Sequence, residues 1–340
     1  MFELNSDISI GRYRRVKPSM VKITKSMFEY VDKAVITIPA KARLQINNPS
    51  GSPIVGDPVE SSKFFEEGDK VTILLGYNGR LEQEFDGFIT RLNFTVPLEI
   101  ECEGYSYLLR KKTYNKAFKQ AKLIDVLRFI VAGTPITLAS DTPDFLIEKL
   151  LLQNHSGTEA LEMIKKISAN TIRIFFTGNV LYAGLQFLKP LSDVKYRLGW
   201  NVIKDGQLKL RQAKNQDVQI NIVGLKKDGT TVKVTSGRIK DATTVGSSGT
   251  FGETKIIKTH AITDLSTLKA MADEKYKQLS FDGYEGKITT FLQPFCSINY
   301  RAILNDLKYP ERSGNYIVES VEVTYSTNGA RRVLGIGAKL

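Results

Sequence analysis

The chain has 340 residues, of which 42% are hydrophobic and 25% charged, so it can bury more than one core. At about 100 to 150 residues a domain, this length predicts roughly two to four domains. The longest apolar runs fall short of the roughly 20 residues that span a membrane, and the N-terminus lacks the apolar stretch of a secretory signal. We therefore expect no membrane insertion and synthesis in a cytoplasm. The net charge of +12 favours acidic partners, whether nucleic acid, lipid or protein.

Strand patterns dominate the first part of the chain. Residues 21–38 alternate in patches between apolar and polar, which is typical of strands with one buried face. The stretch "VTILLGYNGRLEQEFDGFITRL" predicts a hairpin, because Asn78 and Gly79 tolerate the positive φ of a type I′ turn. Within its return strand, Asp86-Gly87 predicts a bulge. With "LEIECEGYSYLLR" after it, the region has five or six strands, which predicts a small barrel or sandwich.

Helices enter the pattern after residue 114. Apolar residues recur at helical spacing from Leu123 to Ile130, and Gly133 stands where such a helix would end. A second helix begins at a capping box, in which the Ser156 hydroxyl and the Glu159 carboxylate accept hydrogen bonds from free backbone N–H groups. Two strands, "TIRIFF" and "VLYAGL", follow this helix. The region therefore predicts a small α/β unit.

β structure resumes in the last third of the chain. Asp205-Gly206 and Asp228-Gly229 each predict a hairpin between two short strands. One amphipathic helix follows a Gly-, Ser- and Thr-rich loop and is marked by Leu265, Leu268, Ala272, Tyr276 and Leu279. The final 55 residues read as strands, and "GNYIVESVEVTYSTNGARRVLGIG" repeats the plan of the first hairpin.

Several short motifs follow one another in a specific order along the chain. They are "GDKVTILLGY…FDGFITRL", "LIDVLRFIV", "TEALEMIKKISAN", "VLYAGL", "LKAMADEKYKQLS", "YEGKITT" and "GNYIVESVEVTYSTNG". This order resembles the baseplate hub of contractile-tailed phages, in the late-control D family and the similar N-terminal part of type VI secretion spike proteins. The resemblance covers nearly the whole chain, and its specificity lies in the order of the motifs.

The resemblance implies an α+β, mainly β fold with two related small β-barrel domains and two α/β units between or inserted. The implied boundaries are 1–110 for the first barrel and 111–190 for the first α/β domain. The second barrel is discontinuous, over 191–212 and 286–340, and the second α/β unit, 213–285, is inserted in it.

The function that the resemblance implies is structural. Such a hub forms a homotrimeric ring that adapts a six-fold tail tube to a three-fold central spike, at the virion tail baseplate of a phage, a prophage or another contractile injection system. Its implied partners are the tail tube protein, a central spike protein and other baseplate proteins. Because the sequence stops at Leu340 without a needle, we expect the spike to be a separate protein. We also expect synthesis in the bacterial cytoplasm and a lumen that tolerates the passage of DNA.

The residues do not predict an enzyme. His155 and His260 have no ligand-like spacing, and Cys102 and Cys296 form no CxxC motif, whereas a metal site needs several convergent ligands. The stretch "GSSGTFG" lacks the Lys-Ser/Thr of a P-loop. We therefore predict no catalytic residue, metal site or cofactor.

Basic side chains are concentrated in four short clusters. Each cluster predicts either a solvated surface, because Lys and Arg favour water, or contact with an acidic partner in the assembled ring. These candidate partner-contact residues are Arg12, Arg14, Arg15, Lys17, Arg110, Lys111, Lys112, Lys226, Lys227, Arg331 and Arg332.

Two other functions compete with the structural one. The first is a nucleic-acid-binding β-barrel, since basic grooves with exposed aromatics bind single strands. Against it, we assign Phe85, Phe88, Tyr105 and Tyr107 to cores rather than to a stacking surface. The second is a peptidoglycan hydrolase of a tail tip, which the lack of a credible catalytic set disfavours.

Overall fold

The fold comes from a computed structural model that describes residues 3–43, 45–46, 54–142, 145–168, 170–184, 190–211, 218–225, 229–237, 253–259 and 262–340. These residues are mainly in strands, with four α-helices among them, which confirms the predicted α+β, mainly β class. The predicted domain boundaries stay predictions.

The N-terminal region consists of long strands and of short ladders two residues long. The strands are β1 (Leu4–Ile10), β2 (Met20–Ser26), β3 (Lys33–Ile38), β4 (Lys41–Ala42), β5 (Gln45–Ile46), β6 (Ile54–Val55), β7 (Val59–Glu60), β8 (Lys70–Tyr77), β9 (Arg80–Asn93) and β10 (Leu98–Glu103). The long strands lie side by side in the order β1-β8-β9-β10-β3-β2. Between β3 and β8, the chain carries the ladders β4–β7 and β5–β6 and a 3₁₀ turn over Ser61–Phe64.

The hairpin of β8 and β9 has the predicted turn. Asn78 and Gly79 have φ of 53° and 76°, the positive values that a type I′ turn requires at both central residues. The bulge, however, lies at Glu84, because Ile73 pairs with Phe85 and Leu74 with Gln83. The prediction of a bulge at Asp86-Gly87 is wrong. The extra residue leaves Glu84 and its neighbour Phe85 both buried, where strict alternation would expose one of them.

Gly79→Val tests the turn. We expect the free energy of unfolding to fall by about 1 to 2 kcal/mol, because a β-branched residue is strained at positive φ. Nothing lies within 4 Å of a Cβ built at Gly79, so crowding does not contribute. Gly79→Asn is the control, since Asn tolerates this conformation, and chemical denaturation measures both. Equal stability of the two variants would contradict the assignment.

The first α/β unit follows the strands of the N-terminal region. Its elements are α1 (Ser106–Arg110), β11 (Thr113–Lys122), α2 (Leu123–Val131), β12 (Thr137–Leu138), β13 (Leu146–Ser156), α3 (Gly157–Ile167), β14 (Arg173–Thr177) and β15 (Val180–Gly184). The capping box of α3 is present as predicted, with Ser156 N donating to Glu159 Oε2 at 2.7 Å and Glu159 N donating to Ser156 Oγ at 3.3 Å. Helix α2 ends just before Gly133, whose φ is 74°. Both predicted helices are confirmed.

The remaining elements form the second half of the chain. They are β16 (Asp193–Arg197), β17 (Val202–Lys204), β18 (Lys209–Arg211), β19 (Val218–Leu225), β20 (Thr231–Gly237), β21 (Glu253–Thr259), α4 (Leu265–Leu279), β22 (Gly283–Thr290), β23 (Arg301–Asn305), β24 (Gly314–Ser326) and β25 (Gly329–Lys339). Strands β19 and β20 form the hairpin predicted around Asp228-Gly229. The hairpin predicted at Asp205-Gly206 is wrong, because β17 and β18 both pair with β22 and not with each other. The two strands pair with different parts of β22, and the residues between them interrupt this pairing.

The two halves share one sheet. Within the described residues, 13 strands are connected in it, and the connection between the halves is the antiparallel pair β2–β24, from Met20 opposite Ser326 to Ser26 opposite Ser320. The hairpin of β24 and β25 therefore lies beside the strands of the N-terminal region. One hydrophobic core follows this sheet through both halves, and two smaller cores fill the α/β units.

Candidate assembly site

A buried ion pair connects the two hairpins. Glu84, at the bulge of β9, accepts a hydrogen bond from Arg332 Nη2 of β25 at 2.6 Å, and the two side chains are 3% and 0% exposed. The guanidinium also donates to the carbonyl oxygens of Leu292, at 3.0 Å, and of Cys296. Its Cζ lies 4.9 Å from the centroid of the Phe295 ring. Arg332 thus joins three segments that are distant in sequence.

Each charge of this pair stabilises the charged form of its partner. Burial raises the pKa of Glu84 above its ordinary value, and the positive charge and hydrogen bond of Arg332 act in the opposite direction. A buried carboxylate keeps its charge only when a partner of this kind is in place. Since Arg332 is completely buried, its predicted place in a surface cluster is wrong. The sequence signal was ambiguous, because nothing in "GARRVLGIG" distinguishes the outward Arg331 from the inward Arg332 except the alternation of the strand.

A second buried carboxylate, Asp32, lies in a small cavity between the halves. The cavity has a volume of about 110 Å³ and is also lined by Lys25, Asp86 and Tyr300. Asp32 Oδ1 has no hydrogen-bond partner within the described residues, and its backbone carbonyl accepts a hydrogen bond from Gly104 N at 2.9 Å. Burial raises the pKa of Asp32 to about 6, against the opposing charge of Lys25. An ionised Asp32 therefore destabilises the fold.

Asp32→Asn should stabilise the protein in a pH-dependent way. Because the folded-state pKa is about 6 and the ordinary value is 3.8, the folded wild type retains a proton that the unfolded chain loses as pH rises through this window. The gain in unfolding free energy over wild type should be near zero below about pH 4 and on the order of 3 kcal/mol at about pH 7. Denaturation curves at pH 4 and pH 7 measure it, with exposed Asp57→Asn as the control. A gain that is the same at both pH values would contradict the buried-charge explanation.

The remaining basic candidates lie mostly at the surface. Arg12, Arg14, Arg15 and Lys17 are exposed in the turn after β1, where Arg14 Nη1 donates to the carbonyl oxygen of Gly11 at 3.1 Å. This cluster offers a compact group of positive charge to the solvent. Lys226 and Lys227 lie outside the described residues.

The basic side chains after α1 make contacts with other residues of the same chain. Arg110 Nη2 lies 3.0 Å from the buried carboxylate of Glu103, and Lys112 Nζ donates to the carbonyl oxygen of Ala132 at 2.5 Å. Lys111 Nζ lies 5.2 Å from the centroid of the Tyr107 ring. Arg331, on β25, lies 5.4 Å from the ring of Phe291 and remains exposed. These side chains combine a local structural contact with accessibility, so they stay candidates for partner contact.

An aromatic and basic surface cluster was missed from sequence. Phe88 stacks on Tyr107 with centroids 5.4 Å apart, and Tyr105 meets the edge of Phe88 at 5.8 Å. Lys70 Nζ lies 4.7 Å from the Phe88 centroid and 2.8 Å from Asp86. Of the four aromatics assigned to cores, Phe85 is buried, whereas Phe88, Tyr105 and Tyr107 are half-buried. Tyr105 packs against the core of the first α/β unit, so the assignment is wrong for Phe88 and Tyr107 only. Phe88 lies on the face of β9 that the alternation of the strand turns away from the core, and the two tyrosines contact its ring there.

The groups considered for catalysis do not converge. His155 Nδ1 accepts a hydrogen bond from Gln153 N at 2.9 Å, and His260 lies outside the described residues, as does "GSSGTFG". Cys102 and Cys296 are free and buried, and burial raises the pKa of both thiols, to about 11 for Cys296. Among the residues that the structure describes, no three His, Cys, Asp or Glu side chains could together hold a metal ion. Nor is any helix there long and apolar enough to cross a membrane.

Several solved structures superpose on almost the whole of this chain. A tail protein of Neisseria meningitidis superposes with a TM-score of 0.67 at 11% identity, over 98% of this chain and 96% of that one. The chain has the fold of phage tail proteins. A prophage tail protein of Shewanella oneidensis gives a TM-score of 0.63 at 13% identity, over 98% of both chains. A type VI secretion component of E. coli, itself similar to T4 phage tail proteins gp27 and gp5, gives 0.62 at 8% identity, over 98% of this chain and 77% of that one.

These likenesses are structural and not sequence-based. No protein-family model matches the sequence, and no curated protein matches it either. The superposition nevertheless extends over almost the entire chain, and its neighbours include both phage tail proteins and type VI secretion proteins, the two groups that the motif order indicated. The resemblance found from sequence is therefore confirmed at the level of the fold.

Proposed function

We propose that this protein is a structural baseplate hub of a phage-like contractile tail, in which three copies form a ring around the tail axis. The observation that carries the proposal is the superposition with tail proteins over 98% of the chain. The ring adapts a six-fold tail tube to a three-fold spike, and the protein has no catalytic role. Its partners are the tube protein, the spike protein and other baseplate proteins.

The arrangement of the two hairpins supports this symmetry role. Each consists of two long strands joined by a two-residue loop, and the strand pair β2–β24 places them in one continuous sheet. Three copies that each contribute two similar barrels would present about six equivalent positions on one face of a ring. The buried pair of Glu84 and Arg332 connects these two hairpins directly. The predicted boundaries, with barrels at 1–110 and at 191–212 plus 286–340, belong to this proposal.

The basic surface supports contact with acidic neighbours in such a ring. Closed cyclic assembly would bury edge strands that otherwise invite uncontrolled pairing, and β1 is such an edge among the described strands. The exposed Arg12, Arg14, Arg15 and Lys17 follow directly on this strand. We assign them to contacts between proteins of the baseplate, and a positive lumen would also tolerate DNA passing through it.

Size exclusion coupled to light scattering tests the ring, together with negative-stain images of the same sample. We expect a mass of three chains and ring-shaped particles with three-fold symmetry, since a permanent interface of this kind buries about 2,000 Å² or more. If the purified chain is a monomer both alone and after mixing with its tube and spike proteins, the ring proposal is wrong. Firm retention on single-stranded DNA at about 150 mM salt would instead favour the nucleic-acid-binding alternative.

A further inference from the structure

A large cleft lies where four parts of the chain meet. It has a volume of about 850 Å³, within the size range of protein sites that bind small molecules or short peptide segments. Phe28, after β2, and Arg173, at the start of β14, form one wall, with the guanidinium carbon 4.1 Å from the ring centroid. Lys275 of α4 and Lys209 and Lys287 of the second half also line the cleft.

The charge of this cleft is positive. Among the described residues that line it, four cations, Arg173, Lys209, Lys275 and Lys287, outnumber two carboxylates, Glu285 and Glu319. Lys255 and Glu274 also influence Lys275 electrostatically. Their charges are opposite, so they leave the excess of positive charge unchanged. Burial lowers the pKa of Lys275, and the charges of Arg173 and Lys255 lower it further. Cations that repel one another in a partly buried space favour an anionic ligand.

The walls of the cleft are not only charged. Leu279 and Phe281 line it with half-buried apolar side chains, and Gly206 and Gly286 also line it. A free phosphate would use the charges but not the apolar walls. A nucleic acid strand would need open rings for stacking, whereas the guanidinium of Arg173 lies over Phe28. Carboxylates together with apolar side chains would match both features.

We propose that this cleft binds an extended acidic peptide segment with apolar side chains, contributed by another protein. The carboxylates lie against the exposed Lys209 and Lys287, and the apolar side chains pack against the wall of Leu279 and Phe281. This binding does not require the ring, because the lining residues all come from one chain.

A fluorescein-labelled heptapeptide of alternating Glu and apolar residues, Glu-Leu-Glu-Phe-Glu-Leu-Glu, tests the proposal on the full chain by fluorescence anisotropy. We expect saturable binding at about 150 mM salt and none for the same peptide with Gln in place of Glu. The double variant Lys209→Gln and Lys287→Gln should bind the peptide about tenfold more weakly. Both lysines are exposed, so the fold should be kept, and an unchanged melting temperature verifies it.

The matched control removes the same charge elsewhere. Lys119 and Lys149 are exposed, lie opposite one another on β11 and β13, and are not part of the cleft. Their double replacement by Gln should leave peptide affinity unchanged. Equal weakening by both double variants would show a general charge effect and overturn the proposal, as would the absence of binding at about 1 mM peptide. Tighter binding of a single-stranded oligonucleotide through the same two lysines would overturn the assignment to a peptide.

Discussion

Arg332→Met should destabilise the protein by about 3 to 5 kcal/mol, the range found when one partner of a buried ion pair is removed. Met keeps much of the apolar volume of the arginine stem, so the loss would come from polar groups and not from a large cavity. Glu84 would be left as a buried charge without its cation, and the carbonyl oxygens of Leu292 and Cys296 would lose a donor. Urea denaturation of the full chain measures the change.

The double variant Glu84→Gln and Arg332→Met separates the ion pair from packing. With the carboxylate gone, it should be more stable than Arg332→Met alone, because no uncompensated charge stays buried. Lys22→Met is the surface control, since Lys22 and Glu322 form a pair at 3.4 Å with side chains 50% and 37% exposed. Lys22→Met should lower the free energy of unfolding by less than about 1 kcal/mol. A loss of similar size for Arg332→Met and Lys22→Met would show that the buried pair does not hold the hairpins together.

Gly76→Ala should be nearly as damaging, with a loss of about 3 kcal/mol or more. A Cβ at Gly76 would lie 1.7 Å from the carbonyl oxygen of Arg80, so the backbone of β8 or β9 must move. A flexible side chain could turn away, but a backbone oxygen of a hairpin cannot. The position lies just before the Asn78-Gly79 turn, so the distortion would reach the pairing of both strands.

Gly206→Ala is the matched control for this substitution. Nothing lies within 4 Å of a Cβ built there, and its φ is not in the region that favours glycine. It should change the free energy of unfolding by less than about 0.5 kcal/mol. Thermal unfolding of the two variants and wild type measures the difference. If Gly76→Ala unfolds at the wild-type temperature, the close approach of the two strands in this hairpin is wrong.

Local sequence determined much of the secondary structure of this protein. The type I′ turn at Asn78-Gly79, the capping box from Ser156 to Glu159 and the end of α2 before Gly133 all follow from the conformational or hydrogen-bonding properties of a few adjacent residues. These features involve contacts over a few positions only. The fold class followed from the same signals, taken in their order along the chain.

Tertiary structure decided which strands pair and which charges are buried. Asp205-Gly206 has the composition of a hairpin turn, yet both flanking strands pair with β22, because a partner strand nearly 80 positions away competes with the local pairing. The bulge lies at Glu84, whose carboxylate meets a guanidinium 248 residues further along. A single sequence shows neither partner, so Arg332 was indistinguishable from its exposed neighbour Arg331. Burial and pairing across such separations depend on the packing of the whole chain, and local preferences carry no information about it.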